Sequence, residues 1–198
     1  GYICGPTLLA GKLMGVPIFI IEQNAVMGLT NRLLSKVSDL VFTNFEVTKG
    51  FNNLNSYCLG NPIRANIQFS KNTVNEEEIN ILVFGGSLGA TQINKAVQNL
   101  LKKDFDFQLS IRHQVGKGNI EENKAWKNPR IYYEQYEYID DMVAAYKWSN
   151  IIICRAGAST ISELRAVRRP SILIPYPAAT DNHQYYNAKG LEQEKLSY

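Results

Sequence analysis

The chain has 198 residues, 45% of them hydrophobic, and its 21 basic and 18 acidic residues give a formal net charge of +3. This length can bury a sizeable core in one large domain or two small ones, and the weak, scattered charge argues against a dedicated nucleic-acid-binding protein. No apolar run approaches the ~18 residues of a membrane-spanning helix, and three widely separated cysteines exclude a disulfide framework.

The first 70 residues predict the closing part of one α/β domain. The apolar run 16–21 predicts a strand buried on both faces, and a polar tip that contains Asn24 follows it. Apolar residues at helical spacing over 29–40 predict a helix, and 40–43 predict a second strand. The chain begins without Met and stops after a helical stretch with no cap residue, so we expect both ends to be cuts through a longer protein.

Residues 79–198 predict a second α/β domain, and a polar linker at 71–78 precedes it. Strand-like and helix-like segments alternate here, which is typical of a doubly wound parallel sheet whose right-handed crossovers place every strand-to-helix loop at one edge. The predicted strands are 79–84, 107–113, 130–134, 151–154 and 171–175. The helices between them are expected to bury Ile93 and Val97, then Met142 and Tyr146, then Ile161, Leu164 and Val167, and a last helix covers 183–194.

A glycine-rich loop, Gly85-Gly86-Ser87-Leu88-Gly89, joins the first strand of this second domain to a helix. Glycines let the backbone approach a ligand, and a helix start offers unpaired N–H groups with partial positive charge, so the loop suits a phosphate. The alternative is a tight turn needed only to pack the helix on the strand. The spacing differs from the dinucleotide fingerprint, and the second strand ends in His113-Gln114 without an acidic residue, which disfavours a dehydrogenase.

The segment 155–163 (RAGASTISE) forms a second strand-to-helix loop of the same kind. Ser159 and Thr160 lie where a helix is expected to start, and Glu163 is expected in its first turn. Glu163 is either a carboxylate that matches the helix dipole or a bidentate acceptor for the two hydroxyls of a ribose. Two phosphate-type loops at one edge of the sheet favour the ribose interpretation.

A third polar segment, 179–187, precedes or opens the last predicted helix. It is dense in side chains that both donate and accept hydrogen bonds, including His183, Gln184 and Asn187. Such groups suit sugar hydroxyls, although a solvated loop with an N-capping residue has the same composition. No cluster of Cys, His and Asp has the spacing of a metal site, so no metal is predicted.

Taken together, these segments resemble the MurG-type N-acetylglucosaminyltransferases of peptidoglycan synthesis. Any one match is weak, but the ordered set is highly specific and runs across essentially the whole chain. The matching segments are 1–6, 22–24, 28–32, 60–64, 85–90, 113–117, 139–142, 155–163 and 181–188.

The resemblance implies the α/β glycosyltransferase B-type fold, in which two Rossmann-like, doubly wound parallel-sheet domains flank the active site, the first being only partly present here. It implies transfer of N-acetylglucosamine from UDP-N-acetylglucosamine to lipid I, giving lipid II with inversion at the anomeric carbon. The domain from about residue 79 would hold the donor and the other domain the lipid acceptor. Such proteins are peripheral at the cytoplasmic face of the bacterial inner membrane, and no cofactor is implied.

The resemblance also implies roles for individual residues. Ile139 would contact the uracil edge through its backbone, and Glu163 would hold the ribose. The diphosphate would be bound by Ser87, Arg64 and the helix start Ala158, Ser159, Thr160, Ile161 and Ser162, with Gly85 and Gly86 beside it. Asn24 and Gln184 would contact the sugar, with His183 next to them. The general base is expected in a segment that precedes this chain.

Three departures from the family pattern stand out. Ile21 lies where the family often has His, Cys4 lies where Ser is usual, and His183 replaces a Gln of some members. Two alternatives stay open: another UDP-sugar enzyme of the same fold, such as a different transferase or an epimerase, and a module that binds a nucleotide sugar without turnover.

Overall fold

The computed structural model describes residues 3–51, 55–70, 78–121 and 128–194, and it contains two parallel β-sheets. The predicted linker 71–78 lies almost wholly outside the described residues, as do Gly1 and Tyr2 of the first matching segment. The division of the chain into 1–70 and 79–198 therefore stays a prediction.

The first sheet has three strands in the order β1-β2-β3. They are β1 (Phe19–Glu22), β2 (Leu40–Thr43) and β3 (Ser56–Cys58), and they are accompanied by helices α1 (Cys4–Leu13) and α2 (Leu29–Leu34). The bounds of β2 agree with the prediction, whereas α2 ends well before residue 40, and α1 and β3 were not predicted. Because Gly5 and Pro6 lie in the first turn of α1, the end of the first matching segment is helical rather than a loop.

Strand β1 is buried on one face only, which corrects the predicted burial on both faces. The side chains of Ile20 and Glu22 point inward, whereas Phe19 and Ile21 are 54% and 49% exposed. The apolar run is continuous in this segment, so its sequence carries no sign of the alternation that the sheet imposes.

The second sheet has five parallel strands in the order β6-β5-β4-β7-β8. They are β4 (Glu78–Phe84), β5 (Gln108–Gln114), β6 (Ile131–Tyr136), β7 (Ile151–Cys154) and β8 (Ser171–Leu173). The helices are α3 (Thr91–Leu100), α4 (Met142–Trp148), α5 (Ala158–Val167) and α6 (His183–Gln193), with a 3-10 turn at Thr180–Asn182. This arrangement confirms the predicted doubly wound sheet.

The strand order fixes where a ligand can bind. The chain builds outward from β4 through β5 to β6, and then returns to place β7 on the other side of β4. Open α/β sheets bind ligands at such a reversal, outside the carboxyl ends of the two strands. The loops after β4 and β7 are the two that the sequence singles out.

Apolar side chains cover both faces of the second sheet. On one face Ile93 and Val97 of α3 pack against strand residues such as Val83 and Ile111. On the other face Ile161, Leu164 and Val167 of α5 pack against strand residues of β4 and β7. The burial of these helix residues agrees with their predicted inward positions.

The two sheets share part of the second core. Ala25, Phe45 and Ile67, which come from the first 70 residues, belong to the same buried cluster as α5 and α6. Arg165 of α5 donates hydrogen bonds to the Asn44 carbonyl (3.1 Å) and side-chain oxygen (3.0 Å). A side chain on Gly190 would meet the Phe45 ring, so α6 approaches the first region closely.

Candidate functional site

The loops after β4 and β7 line one cleft of ≈ 660 Å³. Residues that are far apart in the sequence meet here, and several belong to the predicted site. Its lining includes Gly85, Gly86, Ser87, Gly157, Thr160 and Gln184, together with Arg155 and Tyr176.

The glycines of the β4–α3 loop have different roles. A side chain on Gly85 would collide with Ala90, and one on Gly89 would collide with the Val115 carbonyl. Packing alone therefore requires these two. Gly86 differs, because its φ is +98° and no atom lies close to where a side chain would stand. Its open position lets the loop backbone approach a ligand, and the exposed Ser87 hydroxyl follows it.

Gln114, at the end of β5, ties two parts of the site together. Its amide nitrogen donates to the Gly86 carbonyl, and its amide oxygen accepts from the Ile139 N–H, both at 2.9 Å. The side chain is buried, so both bonds are shielded from water. The Ile139 N–H is therefore already engaged, and a base that contacts this backbone would meet its carbonyl. The sequence pattern gave no sign of this role for Gln114.

Helix α5 begins at the cleft without a side-chain cap. Gly157 is its N-cap residue, and the first intrahelical bond runs from the Ile161 N–H to the Gly157 carbonyl at 2.9 Å. The N–H groups of Ala158, Ser159 and Thr160 precede that bond, at the positive end of the helix dipole. A ten-residue helix with such a start suits an anion.

The other two residues of the predicted helix start lie deeper. Ile161 is fully buried in the core beneath the sheet, and its N–H belongs to the helix. Ser162 is buried too, and its hydroxyl donates to the Ala158 carbonyl at 3.0 Å. The groups available to a ligand at this helix start are therefore those of Ala158, Ser159 and Thr160.

Glu163 is the sixth residue of α5, so it lies in the second turn rather than in the predicted first turn. This position weighs against the helix-dipole interpretation, because the dipole acts within the first turn. One carboxylate oxygen accepts from the Tyr146 hydroxyl at 2.7 Å, and the other lies 3.6 Å from the Arg64 guanidinium. The Arg64 side chain, predicted at the diphosphate, is thus beside the candidate ribose acceptor and is 53% exposed.

Tyr146 was predicted only as a core residue, and it is one. It is 2% exposed, and burial together with the Glu163 carboxylate raises the pKa of its hydroxyl. The phenol therefore stays protonated and donates to Glu163. No periodicity of the sequence could have indicated this bond, because it joins α4 to α5, which precede and follow β7 in the chain.

Asn24 is linked to the second region through Asn187. The Asn187 side chain is fully buried and makes three hydrogen bonds: it donates to the Asn24 side chain and the Ala156 carbonyl (both 3.1 Å) and accepts from the Ala25 N–H (2.7 Å). The Glu22 carboxylate holds the other side of Asn24 by accepting from its N–H at 3.0 Å. Asn187 was one of several candidates in its segment, and the structure gives it the central position.

Gln184 and His183 begin α6 near the same cleft. The Gln184 side-chain oxygen accepts from the Tyr176 N–H at 2.9 Å. The His183 Nδ1 lies 2.8 Å from the Thr180 carbonyl, so this nitrogen carries a proton and donates. Both contacts fix the loop that leads into α6.

Arg155 places a buried positive charge beside the cleft. Its guanidinium donates to the carbonyls of Ile174 and Pro175, both at 3.0 Å, and to the Gln92 side-chain oxygen at 3.3 Å. Burial lowers its pKa. These three partners are neutral oxygens, so they do not cancel its charge. Arg155 opens the predicted loop 155–163, but no sequence pattern indicates this role for its side chain.

A second cleft, of ≈ 730 Å³, lies at the junction of the two regions and is slightly larger. Three of its charged groups already have partners: Arg165 pairs with Glu194 at 2.6 Å, and the Lys49 ammonium lies 3.7 Å from the centre of the Tyr186 ring. It has no glycine loop at a helix start, so the smaller cleft is the better candidate for an anionic ligand.

In the part of the chain that the structure describes, no group of three or more His, Cys, Asp or Glu side chains could hold a metal ion. Within the same residues, no helix combines the length and apolar character needed to cross a bilayer.

Comparison with protein families gives two matches. Residues 80–198 match the Glycosyltransferase family 28 C-terminal domain, and residues 1–43 match the Glycosyltransferase family 28 N-terminal domain.

Similar curated proteins include two bacterial enzymes, both named UDP-N-acetylglucosamine--N-acetylmuramyl-(pentapeptide) pyrophosphoryl-undecaprenol N-acetylglucosamine transferase. The one from Shewanella denitrificans is 38% identical over 195 residues, which cover 95% of this chain and 53% of that protein. The one from Myxococcus xanthus is 41% identical over 197 residues, which cover 96% of this chain and 51% of that protein. The chain therefore spans about half the length of the relatives it matches.

Among solved structures, the crystal structure of Acinetobacter baumannii MurG is similar to this chain, with a TM-score of 0.83 and 35% identity. The match covers 100% of this chain and 57% of that one. Together with the two parallel sheets, it confirms the predicted glycosyltransferase B-type fold class.

Proposed function

The chain belongs to glycosyltransferase family 28, and we propose that it provides the nucleotide-sugar site of an enzyme that transfers N-acetylglucosamine from UDP-N-acetylglucosamine to lipid I. The product would be lipid II, a precursor of peptidoglycan. One observation carries the proposal: the glycine loop and the uncapped start of α5 line one cleft at the switch point of a parallel sheet, and the second turn of α5 carries the partly buried Glu163 carboxylate. A helix start and a glycine loop suit a diphosphate, and a carboxylate suits the hydroxyls of a ribose.

The leaving group would occupy the smaller cleft. The N–H groups of Ala158, Ser159 and Thr160 and the Ser87 hydroxyl would bind the diphosphate, and Arg64 would approach it from the first region. Glu163 would accept from the ribose hydroxyls. The carbonyl of Ile139 would accept from the N3–H of uracil, because its own N–H is engaged by Gln114. This last contact would favour uracil over cytosine, whose N3 carries no hydrogen.

Asn24 and Gln184 would contact the sugar. In the reaction the acceptor hydroxyl attacks the anomeric carbon, the bond from that carbon to the diphosphate oxygen breaks, and the configuration inverts. Negative charge develops on the departing diphosphate, where the helix start and Ser87 stabilise it. The proton of the hydroxyl passes to a general base that we expect outside this chain.

The lipid acceptor places the reaction at a membrane surface. We propose a peripheral enzyme on the cytoplasmic face of the bacterial inner membrane, because a soluble UDP-sugar and a lipid-linked acceptor meet there. The chain alone would bind the donor, and transfer would also require the part of the relatives that this chain does not span.

Calorimetric titration tests the proposal. The chain is titrated with UDP-N-acetylglucosamine, UDP-glucose, UDP and NAD, first unchanged and then with Glu163→Ala. We expect the UDP compounds to bind and NAD not to bind, with weaker binding of all UDP compounds by the variant.

Glu134→Ala is the matched control. Glu134 is a carboxylate of β6 that also accepts from tyrosine hydroxyls, those of Tyr132 at 3.0 Å and Tyr136 at 2.9 Å, but it lies on an edge strand, whereas Glu163 belongs to the helix that follows β7 on the other side of β4. Equal losses in the two variants, or equal affinity for NAD and UDP, would contradict the proposed site.

A further inference from the structure

The hydroxyl of the buried Tyr146 donates a hydrogen bond to the Glu163 carboxylate. Tyr146 belongs to α4 and Glu163 to α5, and their side chains meet at 2.7 Å. The tyrosine is 2% exposed, whereas the glutamate side chain is 18% exposed. A buried donor thus holds one oxygen of a carboxylate that is itself only partly buried.

The position of this hydroxyl is fixed by the packing around it. The Tyr146 ring packs edge-on against Phe84, with ring centroids 6.2 Å apart. Its backbone carbonyl accepts from the Ser149 hydroxyl at 3.1 Å and from the Arg169 guanidinium at 3.3 Å. A ring held by the core and a backbone held by two donors leave the hydroxyl little freedom.

The two carboxylate oxygens of Glu163 are therefore not equivalent. Oε2 accepts from Tyr146, and Oε1 lies 3.6 Å from the exposed Arg64 guanidinium. Ion pairs with an exposed partner are weak, so Arg64 can be displaced at little cost. A ribose hydroxyl can replace it at Oε1, because hydroxyl donors and a guanidinium use the same lone pairs.

We propose that Tyr146 is a positioning residue for recognition of the ribose: it fixes Glu163 through Oε2, so that Oε1 is presented to Arg64 in the free chain and to a ribose hydroxyl when a nucleotide binds. The inference rests on the proposed function. A carboxylate that is already oriented loses less conformational entropy on binding than one that rotates freely.

The test compares UDP with 2′-deoxy-UDP, which lacks one of the two hydroxyls. Calorimetry measures both affinities for the unchanged 198-residue chain and for Tyr146→Phe, which keeps the ring and removes only the hydroxyl. We expect Tyr146→Phe to weaken UDP binding about three- to tenfold, as loss of one hydrogen bond to a charged group does. Binding of 2′-deoxy-UDP should change less than about twofold, since it depends less on Glu163.

Tyr133→Phe is the matched control. Tyr133 is also a partly buried tyrosine of the second region, and its hydroxyl lies 2.8 Å from His113 Nδ1, away from the cleft. This variant should keep the preference for UDP over 2′-deoxy-UDP. A purely structural role of Tyr146 would lower the unfolding temperature and leave that preference unchanged.

The double variant Tyr146→Phe/Glu163→Gln shows whether Tyr146 acts on UDP affinity through Glu163 or only through the stability of the chain. If Tyr146 acts through Glu163, then adding Tyr146→Phe to Glu163→Gln should change UDP affinity less than about twofold. A further large loss would overturn the inference. So would an unchanged preference in a folded Tyr146→Phe chain, whereas failure of the unchanged chain to bind UDP would overturn the proposed function itself.

Discussion

The two regions of the molecule differ in how completely their sheets are covered. In the second region helices pack on both faces of five strands, and two large clusters of buried side chains result. In the first region a single small cluster, which includes Ile20, Leu34 and Val41, lies on one face of three strands. Phe19 and Ile21 of β1 stay half exposed on the other face.

The proposed nucleotide-sugar site depends mainly on the second region. Most of the groups assigned to the nucleotide lie on the second sheet, whose order is set by its own core. The first region adds Asn24 and Arg64, and the hydrogen bonds of Asn187 and Arg165 connect it to the second region. Nucleotide binding should therefore respond strongly to changes at the second sheet and only indirectly to changes in the first.

Asn187→Ala should have the largest effect, because it breaks the junction between the regions. It leaves the buried Ala25 N–H and Ala156 carbonyl without their side-chain partner. We expect the free energy of unfolding to fall by about 3 kcal/mol, the sum of two unsatisfied buried groups. Urea denaturation measures this loss. Lys189→Ala, an exposed change on the same helix, should cost less than about 0.5 kcal/mol; equal losses would show that the junction does not depend on Asn187.

The second region should also be the acid-sensitive one, because it holds a buried neutral histidine. Burial lowers the pKa of His113 from 6.5 to about 4, and Asn94 and Tyr133 occupy its two ring nitrogens. Above pH 6.5 neither state binds the proton. Between pH 6.5 and 4 the unfolded chain binds it and the folded chain does not, so stability falls as the pH is lowered through this range.

Unfolding in urea at pH 7 and pH 5 measures that loss. The His113 contribution should be about 2 kcal/mol between these two values. The variant His113→Gln should be less stable at pH 7 but should lose less on going to pH 5. If the free energy of unfolding falls equally in both chains between pH 7 and pH 5, groups other than His113 cause the acid sensitivity.

Gln114→Leu sharpens the comparison within the second region. It removes the bonds to the Gly86 carbonyl and the Ile139 N–H and puts an apolar side chain of similar size in place of the amide. We expect UDP binding to weaken about tenfold, because the Gly86 loop and the Ile139 backbone are no longer held by hydrogen bonds to the same side chain. Gln135→Leu, on the neighbouring strand β6, is the control for calorimetry. If both variants bind UDP as the unchanged chain does, Gln114 does not order the site.

Arg64→Gln should have the smallest effect on ligand affinity, and the direction of that effect should differ between UDP and uridine. The side chain is exposed, so loss of its charge should weaken UDP binding only about threefold. Uridine has no phosphate and needs the Glu163 oxygen that Arg64 otherwise contacts, so its affinity should not fall. Competition calorimetry compares the two ligands. A parallel loss for uridine would place Arg64 at the nucleoside rather than at the diphosphate.

The sequence predicted the second sheet well for a physical reason. Strands of a parallel sheet are buried on both faces, so residues 81–84 of β4 and the whole of β7 are continuous apolar runs. The loops that follow them are marked by glycine and hydroxyl residues. The first region was harder to predict. Helix α1 has no buried residues and therefore no apolar face to recognise, and β3 is only three residues long.

The contacts that organise the site could not be predicted from local pattern. Asn187 and Ala25 are 162 residues apart in the sequence, and Tyr146 carries the spacing of any core residue. The sequence identifies Glu163 as a carboxylate that follows a phosphate-type loop. Whether it lies in the first or the second turn of α5 depends on the residue at which the helix begins. Such features depend on how distant segments pack, which neither periodicity nor composition specifies.

The most direct test of the central claim is to locate the donor on the chain. A 15N-labelled chain is titrated with UDP-N-acetylglucosamine, and the amide resonances are followed by NMR. The largest shifts should occur at Gly86, Ser87 and the helix start Ala158, Ser159 and Thr160, with smaller shifts at Ile139. Shifts centred instead on Lys49, Tyr186 and Lys189 would place the ligand in the other cleft and contradict the proposed site.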